Sequence, residues 1–246
     1  MSSTRSTDRR RDLTRPAERG LRPDLHRNPT RYDRPDIVTE PTYDRDFWER
    51  LWSKTLSERA DQVAHRPANE HVTSEIGGLM PGLALDAGCG HGADAFWLAA
   101  HGWQVTAVDF SAAALAHGRS TAEAAGPDLA GRIDWVEADL GTWTPEPSRY
   151  DLVASLYVHI AGSVEEMVRR MAAAVAPGGT LFLVGHQPVD PATGDPTPAA
   201  GQVQISVETA TSALAPDGWE LIVAEDRPRA ATNSGVDAVV RARRRV

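Results

Sequence analysis

The chain has 246 residues and a formal net charge of −8, from 26 basic and 34 acidic side chains. This length fits one compact domain with a tail or lid, and the acidic balance disfavours nucleic acid and anionic membranes as partners. The single cysteine, Cys89, excludes an intramolecular disulfide. No Cys/His cluster has metal-ligand spacing and no apolar run reaches membrane-spanning length, so we expect a cytoplasmic, metal-free protein.

The first part of the chain divides into two segments. Residues 1–40 hold 10 Arg and 7 acidic residues with few apolar side chains, which predicts a disordered Arg-rich tail. Residues 41–80 are predicted to form a helical lid, beginning with a helix capped by Asp44 or Asp46. One face of that helix is apolar and mainly aromatic: Phe47, Trp48, Leu51 and Trp52. This face indicates either simple docking on the core or a cover over a ligand.

Residues 81–246 alternate strand and helix patterns, which is typical of a doubly wound α/β fold with a mostly parallel sheet. The predicted strands are Leu83–Asp86, Gln104–Asp109, Ile133–Glu137, Tyr150–Ser155 and Thr180–Gly185. The predicted helices are Asp94–His101, Ser111–Ala125 and Val164–Val175. Two further strands, Glu220–Glu225 and Val236–Arg241, are joined without a helix, which predicts an antiparallel pair at the end of the sheet.

A glycine-rich loop lies between the first strand and the first core helix. Residues 85–92 read LDAGCGHG, and in a doubly wound sheet such a loop opens onto the ligand crevice. Gly88, Gly90 and Ala93 also satisfy the dinucleotide fingerprint, and Asp109 ends the next strand, where it can accept hydrogen bonds from ribose hydroxyls. The loop alone therefore leaves a dinucleotide and other nucleotide-like ligands open.

Three features favour a sulfonium cofactor over a dinucleotide. Asp86 places a carboxylate beside the loop, where it would repel a pyrophosphate but organise an α-ammonium group. Asp139 follows the third strand and offers its carboxylate to an adenine amino group, while Leu140 offers an apolar contact to the ring. The terminal strand pair replaces the second mononucleotide half that a dinucleotide fold needs.

The ordered motifs resemble those of class I S-adenosylmethionine-dependent methyltransferases. The matching segments are LDAGCGHG, VDFS (Val108–Ser111), EADL (Glu137–Leu140), YDLVAS (Tyr150–Ser155) and APGGTLFLV (Ala176–Val184). The resemblance implies a seven-stranded sheet with an antiparallel last strand, S-adenosylmethionine as cofactor and S-adenosylhomocysteine as product. It implies these cofactor-binding residues: Asp86, Gly88, Gly90, Gly92, Asp109, Phe110, Asp139, Leu140 and Ser155. The helix motif FWERLW and the segment Arg66–His71 are similar to the small-molecule subgroup that includes thiopurine and tellurite methyltransferases.

Methyl transfer is an in-line displacement, so the protein has mainly to align the acceptor and accept its proton. The acceptor is expected above the fourth and fifth strands, where His159 and His186 are the candidate bases. Tyr157, Trp48 and Trp52 are candidates for the wall of the substrate pocket, although core packing explains the two tryptophans equally well.

These residues predict transfer of a methyl group to an O, N or S atom of a small metabolite. Residues 155–158 read SLYV, and the Asn/Asp-Pro-Pro-aromatic tetrapeptide of the DNA amino-methyltransferases is not found there. Two other functions stay open: a non-catalytic sensor or partner protein that binds S-adenosylmethionine, and a nicotinamide-dependent oxidoreductase. The acceptor and the oligomeric state are not predicted.

Overall fold

The computed structural model describes residues 44–160, 162–190, 193–196, 204–229 and 235–246. The predicted tail, residues 1–40, lies outside these ranges. The helices are α1 Arg45–Ala64, α2 Glu70–Ile76, α3 Ala93–Ala100, α4 Ala112–Ala125, α5 Pro127–Ala130, α6 Val164–Ala174 and α7 Val207–Ser212. The strands are β1 Leu83–Ala87, β2 Gln104–Asp109, β3 Ile133–Glu137, β4 Tyr150–Leu156, β5 Val175–His186, β6 Trp219–Pro228 and β7 Val236–Arg244.

The strands form one seven-stranded sheet in the order β3-β2-β1-β4-β5-β7-β6. Neighbours from β3 to β5 pair in parallel, whereas β7 pairs antiparallel with both β5 and β6. This arrangement confirms the predicted doubly wound α/β fold, the seven-stranded sheet and its antiparallel end.

The core lies on both faces of the sheet, as expected for parallel strands that are covered by helices. On one face, Leu85 of β1 and Leu183 of β5 pack with Met167 of α6. On the other face, Phe182 of β5 packs with Leu98 of α3. All five side chains are fully buried, so successive strand residues point into opposite halves of the core.

Two details of the core differ from the sequence prediction. The fifth strand begins at Val175, because residues 175–179 continue into the sheet after a register shift between Tyr150 and Leu152 of β4. The sequence predicted that the helix ends at Val175 and that the strand begins only at Thr180, whereas residues 175–179 form the irregular start of β5. Helix α2 was not predicted, since its seven residues are too few for a clear helical period.

Helix α1 is attached across the carboxyl edge of the sheet. Asp44 caps it by accepting a hydrogen bond from the amide of Phe47 at 2.9 Å, which confirms the predicted cap. Glu49 accepts a hydrogen bond from the amide of Ala113 in the first turn of α4 at 3.3 Å. Arg45 forms an ion pair with Glu137 at the end of β3. These contacts place α1 against the first turn of α4 and the end of β3.

Candidate functional site

A cavity of about 590 Å³ lies at the carboxyl edge of the sheet. The chain runs outward in opposite directions from β1 and β4, which makes their shared edge the topological switch point where doubly wound folds bind ligands. The cavity is lined by the loops after β1, β4 and β5, by α1 and by the segment that follows it. Its size falls in the usual range for small-molecule and cofactor sites.

The shape of the glycine loop requires glycine at two positions that face the cavity, and also at Gly92. Gly88 has φ +85° and Gly90 has φ +54°. A Cβ on Gly88 would lie 2.2 Å from Val158 Cγ2, and one on Gly90 would lie 2.8 Å from the Trp52 ring. Both glycines line the cavity, so the loop presents bare backbone to a ligand.

Asp109 connects the glycine loop to the end of β2. Its carboxylate accepts a hydrogen bond from the amide of Gly90 at 2.9 Å and another from the amide of Ser111 at 2.9 Å. Burial raises the pKa of Asp109, while these amide hydrogen bonds oppose the increase. The same side chain lines the cavity, so it can both hold the loop and face a ligand.

Two further carboxylates lie beside the loop. Asp86 is buried beneath it, and among the described residues its Oδ2 has no hydrogen-bond partner. Burial raises the pKa of Asp86 well above its usual range, and the charges of Asp94 and Asp109 raise it further. Asp94 lines the cavity and accepts a hydrogen bond from the amide of Asn69 at 2.7 Å. This end of the cavity is therefore acidic and favours a cationic ligand.

The other residues predicted to bind a cofactor take different places. Phe110 and Leu140 line the cavity. Asp139 is exposed and accepts a hydrogen bond from the amide of Gly141 at 2.8 Å. Gly92 and Ser155 are buried and do not line the cavity. The structure thus brings five of the nine predicted residues to the cavity wall and Asp86 directly behind it: Gly88, Gly90, Asp109, Phe110 and Leu140.

Aromatic rings of α1 line one side of the cavity. The Trp48 ring packs on the His159 imidazole with centroids 5.0 Å apart, and the Trp52 ring packs on His91 at 5.4 Å. Burial, together with the smaller effect of the Arg66 charge, lowers the pKa of His91 to about 4, so this imidazole is neutral at pH 7. Both tryptophans line the cavity, which places them where the lid hypothesis expects them.

Asp237 is the centre of a polar cluster that the sequence did not reveal, and we call this cluster the Asp237 network. The carboxylate is fully buried at the start of β7. Its Oδ1 lies 2.9 Å from His186 Nδ1 and accepts from Arg229 Nη2 at 2.7 Å. Its Oδ2 accepts from the Tyr157 hydroxyl at 2.9 Å, lies 3.2 Å from His71 Nε2 and 3.3 Å from Arg229 Nε.

These contacts determine the charge of the network. Burial raises the pKa of Asp237, but the hydrogen bonds from His186, His71, Arg229 and Tyr157 lower it more, so it lies well below its usual range. Burial also raises the pKa of Tyr157, whose ring stacks on His186 with centroids 4.0 Å apart. At neutral pH the network therefore holds an ionised carboxylate and a neutral phenol.

The two candidate bases differ in their surroundings. His159 Nε2 lies 2.8 Å from Gln204 Nε2. Gln204 Oε1 accepts a hydrogen bond from the backbone amide of His186 at 2.8 Å. His186 meets Asp237 through Nδ1, and within the described part of the chain its Nε2 has no hydrogen-bond partner. His186 Nδ1 also contacts the Arg229 guanidinium through Nη2. In the tautomer in which Nδ1 carries the proton and donates it to Asp237, the Nε2 lone pair of His186 is a proton acceptor.

The Asp237 network follows from the topology of the last two strands. Because β7 runs antiparallel to β5, its first residues lie at the carboxyl edge of the sheet, beside the end of β5. Because β6 pairs antiparallel with β7, Arg229 comes just after the end of β6 at that same edge. The predicted antiparallel pairing could have placed Asp237 at this edge, because Asp237 is the second residue of the predicted last strand.

Comparison with known proteins agrees with this geometry. A family model described as a methyltransferase domain matches residues 84–179, which hold the glycine loop and strands β1 to β4. The segment that forms the glycine loop and strands β1 to β4 is thus similar to a methyltransferase domain. This match, together with solved neighbours that are S-adenosylmethionine-dependent methyltransferases, supports S-adenosylmethionine as the cofactor.

Three proteins illustrate the likeness. Trans-aconitate 2-methyltransferase of Paracidovorax citrulli is 32% identical over 136 residues, which cover 54% of this chain and 49% of that protein. Ribosomal RNA small subunit methyltransferase C of Alcanivorax borkumensis is 37% identical over 113 residues, covering 44% of this chain and 33% of that protein. A solved geranyl diphosphate methyltransferase in complex with GPP and sinefungin has a TM-score of 0.63 at 14% identity, covering 82% of this chain and 99% of that one. The chain thus spans half or less of the curated relatives' length.

The site has the groups that this cofactor requires. The cofactor carries a positive sulfonium and an ammonium group, and the structure supplies the unpartnered carboxylate oxygen of Asp86 with Asp94 and Asp109 nearby. The bare backbone at Gly88 and Gly90 gives the close approach. Within the described ranges, no His/Cys/Asp/Glu group is arranged to hold a metal ion, and no helix is both long and apolar enough to cross a membrane.

Proposed function

We propose that this chain transfers a methyl group from S-adenosylmethionine to an O, N or S atom of a small molecule. The observation that carries the proposal is the cavity itself, in which the glycine loop at one end faces two histidines and a tyrosine at the other, under the tryptophans of α1. Such an arrangement fits the small-molecule subgroup of thiopurine- and tellurite-like methyltransferases, in which a helix before the first strand covers the cofactor.

The acceptor class is supported by charge and enclosure. One relative is named for trans-aconitate, which is a small molecule, and another for ribosomal RNA. The acidic balance of this chain opposes a polyanionic substrate, since 27 of its 34 acidic residues follow residue 40. Trp48 and Trp52 also cover the cavity, so a large substrate would have to displace α1. Both points favour a small acceptor, and a single cysteine suits a cytoplasmic setting.

The cofactor end of the cavity is assigned as follows. Gly88 and Gly90 would approach the methionine part, Asp109 the ribose hydroxyls, and Phe110 with Leu140 the adenine ring. Asp86 would balance the positive charge from beneath the loop, because its buried carboxylate otherwise lies in a site that disfavours ionisation. Asp139, Gly92 and Ser155 would act from outside the cavity wall, through the shape of the neighbouring loops.

At the acceptor end we assign His186 as the base and keep His159 as the second candidate. When bound, the cofactor would supply a methyl carbon on positively charged sulfur, and the electron pair of the carbon–sulfur bond would remain on sulfur. His186 Nε2 would accept the proton that the acceptor atom loses as it bonds to that carbon. Asp237 would stabilise the positive charge of the resulting imidazolium by accepting a hydrogen bond from its Nδ1.

The test is a methylation screen with methyl-labelled S-adenosylmethionine and a fractionated metabolite extract, read by mass spectrometry. We expect a labelled small molecule with the wild-type chain and the Asp134→Asn control, and a strongly reduced yield with His186→Gln. Labelled ribosomal RNA without any labelled metabolite would contradict the proposed acceptor. Binding of S-adenosylhomocysteine with no transfer at all would favour a sensor, and binding of NADH alone would favour an oxidoreductase.

A further inference from the structure

The carboxylates that line the cavity are confined to one of its two ends, where Arg66 also lies near His91. The carboxylates Asp86, Asp94 and Asp109 all lie at the glycine-loop end. The opposite end, beyond β4 and β5, is lined by Arg229 and His186. A cofactor with positive groups suits the first end, so the second end is left to recognise the acceptor.

The carboxylate at the second end, Asp237, has all its hydrogen-bond acceptor positions occupied by protein side chains. Asp237 has no exposed surface, and its two oxygens receive five contacts from the four donor side chains of the network. It cannot also accept a hydrogen bond from an acceptor molecule. Besides the two histidines, the side chains that this end presents to the cavity offer hydrogen-bond donors, chiefly the guanidinium of Arg229 and the amide nitrogen of Asn69.

Arg229 has hydrogen-bonding capacity left over. It binds Asp237 through Nε and Nη2, and Nη2 also contacts His186 Nδ1. No described residue accepts a hydrogen bond from its Nη1. Asn69 Nδ2 donates one hydrogen to the Tyr157 hydroxyl at 3.3 Å, and an amide nitrogen carries two. Donors without acceptors favour a ligand that brings its own oxygen acceptors, and a guanidinium pairs best with a planar carboxylate.

The surroundings of Arg229 disfavour the binding of an ammonium group. It would meet Arg229 as a like charge, and the nearest carboxylate, Asp237, has no free lone-pair position. The Tyr157 ring is covered by the stacked His186 imidazole on one face, and the Arg229 guanidinium carbon lies 6.0 Å from its centroid. The ring therefore offers little open surface for a cation–π contact.

We propose that the methyl acceptor is a small carboxylate-bearing molecule whose carboxylate binds Arg229, with Asn69 as a second donor. This proposal rests on the proposed function, because it specifies the substrate class of the same cavity. Arg227 offers a matched control, since it lies two residues away on β6 and its side chain binds Glu75 and Glu225, outside the cavity.

The experiment uses the full chain saturated with S-adenosylhomocysteine, so that occupancy of the cofactor end is measured first and separately. Binding of benzoate and phenylacetate is then compared with binding of benzamide, phenylacetamide and benzylammonium by ligand-observed NMR. We expect measurable binding of at least one carboxylate, and at least a ten-fold preference for it over its amide and over benzylammonium. Arg229→Gln should reduce carboxylate binding at least ten-fold, while Arg227→Gln leaves it unchanged.

Three results would overturn the proposal while leaving the proposed function intact. They are equal binding of carboxylate and amide probes, preference for benzylammonium, and an unchanged carboxylate affinity in Arg229→Gln. Arg229→Lys guards against a folding artefact, since it keeps the charge and should retain part of the carboxylate affinity. Each variant is scored only relative to its own binding of S-adenosylhomocysteine. Failure to bind S-adenosylhomocysteine in the wild-type chain would instead contradict the proposed function.

Discussion

Replacing Asp237 by asparagine tests the polar network that joins the ends of β4, β5, β6 and β7. In the wild-type chain, Oδ1 of Asp237 forms hydrogen-bond contacts with His186 and Arg229. Its Oδ2 forms them with His71, Tyr157 and Arg229. A carboxamide places an NH₂ group where one of these oxygens lies. Whichever way the amide is turned, one N–H of Arg229 then faces another donor, and at least two of the wild-type contacts lose their charged oxygen acceptor.

The size of the effect follows from these contacts. A hydrogen bond to a charged group contributes about 1.5–3 kcal/mol, so the loss of two would destabilise the fold by about 3–6 kcal/mol. The Arg229 side chain is 21% exposed, so water replaces part of its lost bond, and we expect the lower end of that range. For a chain of this size, about 3 kcal/mol lowers the melting temperature by roughly 6–12 °C.

The lowered pKa of Asp237 adds a prediction about pH. Its folded pKa lies well below the value of about 3.9 for an unfolded aspartate, so its stabilisation is fully present above about pH 5. That stabilisation is lost as the pH falls from the unfolded toward the folded pKa. The difference in unfolding free energy between wild type and Asp237→Asn should therefore be constant from pH 8 to 5 and shrink by about 1 kcal/mol by pH 3.

The assay is urea unfolding followed by tryptophan fluorescence at pH 7, 5 and 3. Asp134→Asn, at an exposed position of β3, is the matched control and should stay within about 0.5 kcal/mol of the wild type. The reasoning is refuted if Asp237→Asn is as stable as that control at pH 7, or if the difference from wild type grows on acidification.

Three further outcomes are expected. Trp52→Ala, which opens the cover over the glycine loop, should weaken S-adenosylhomocysteine binding in a thermal-shift titration, whereas Leu51→Ala on the exposed side of α1 should not. His186→Gln should lower kcat about 100-fold or more with little change in cofactor affinity, and an unchanged kcat would exclude it as the base. Burial lowers the pKa of His91 to about 4, so stability should fall by about 2 kcal/mol between pH 7 and 5 and His91→Gln should remove that loss in urea titrations; a variant with the same pH dependence would contradict this.

The fold was predictable because its signals are local. Strand β2 has the predicted bounds, Gln104–Asp109, since a short apolar run ends at a polar residue before a helix cap. Asp44 and Ser111 cap their helices as their positions before apolar periods predict. The glycine loop was predictable for the same reason, because a strand, three glycines and a helix follow one another directly in the chain.

The acceptor end was only partly predictable, because it is assembled from distant segments. His71 and Asp237 are 166 residues apart in the chain, and only the pairing register of β5, β6 and β7 brings Asp237 beside His186. His186 was predicted from the end of the fifth strand alone. Arg229 gave no signal, since a single arginine after an edge strand looks like an ordinary solvated charge.

The central claim is that the crevice at the glycine loop binds S-adenosylmethionine, and calorimetric titration tests it most directly. We predict that S-adenosylhomocysteine binds the full chain at one site, that Asp109→Ala loses this binding, and that NADH gives no binding heat. A chain that binds NADH but not S-adenosylhomocysteine, or an Asp109→Ala variant with unchanged affinity, would contradict the account.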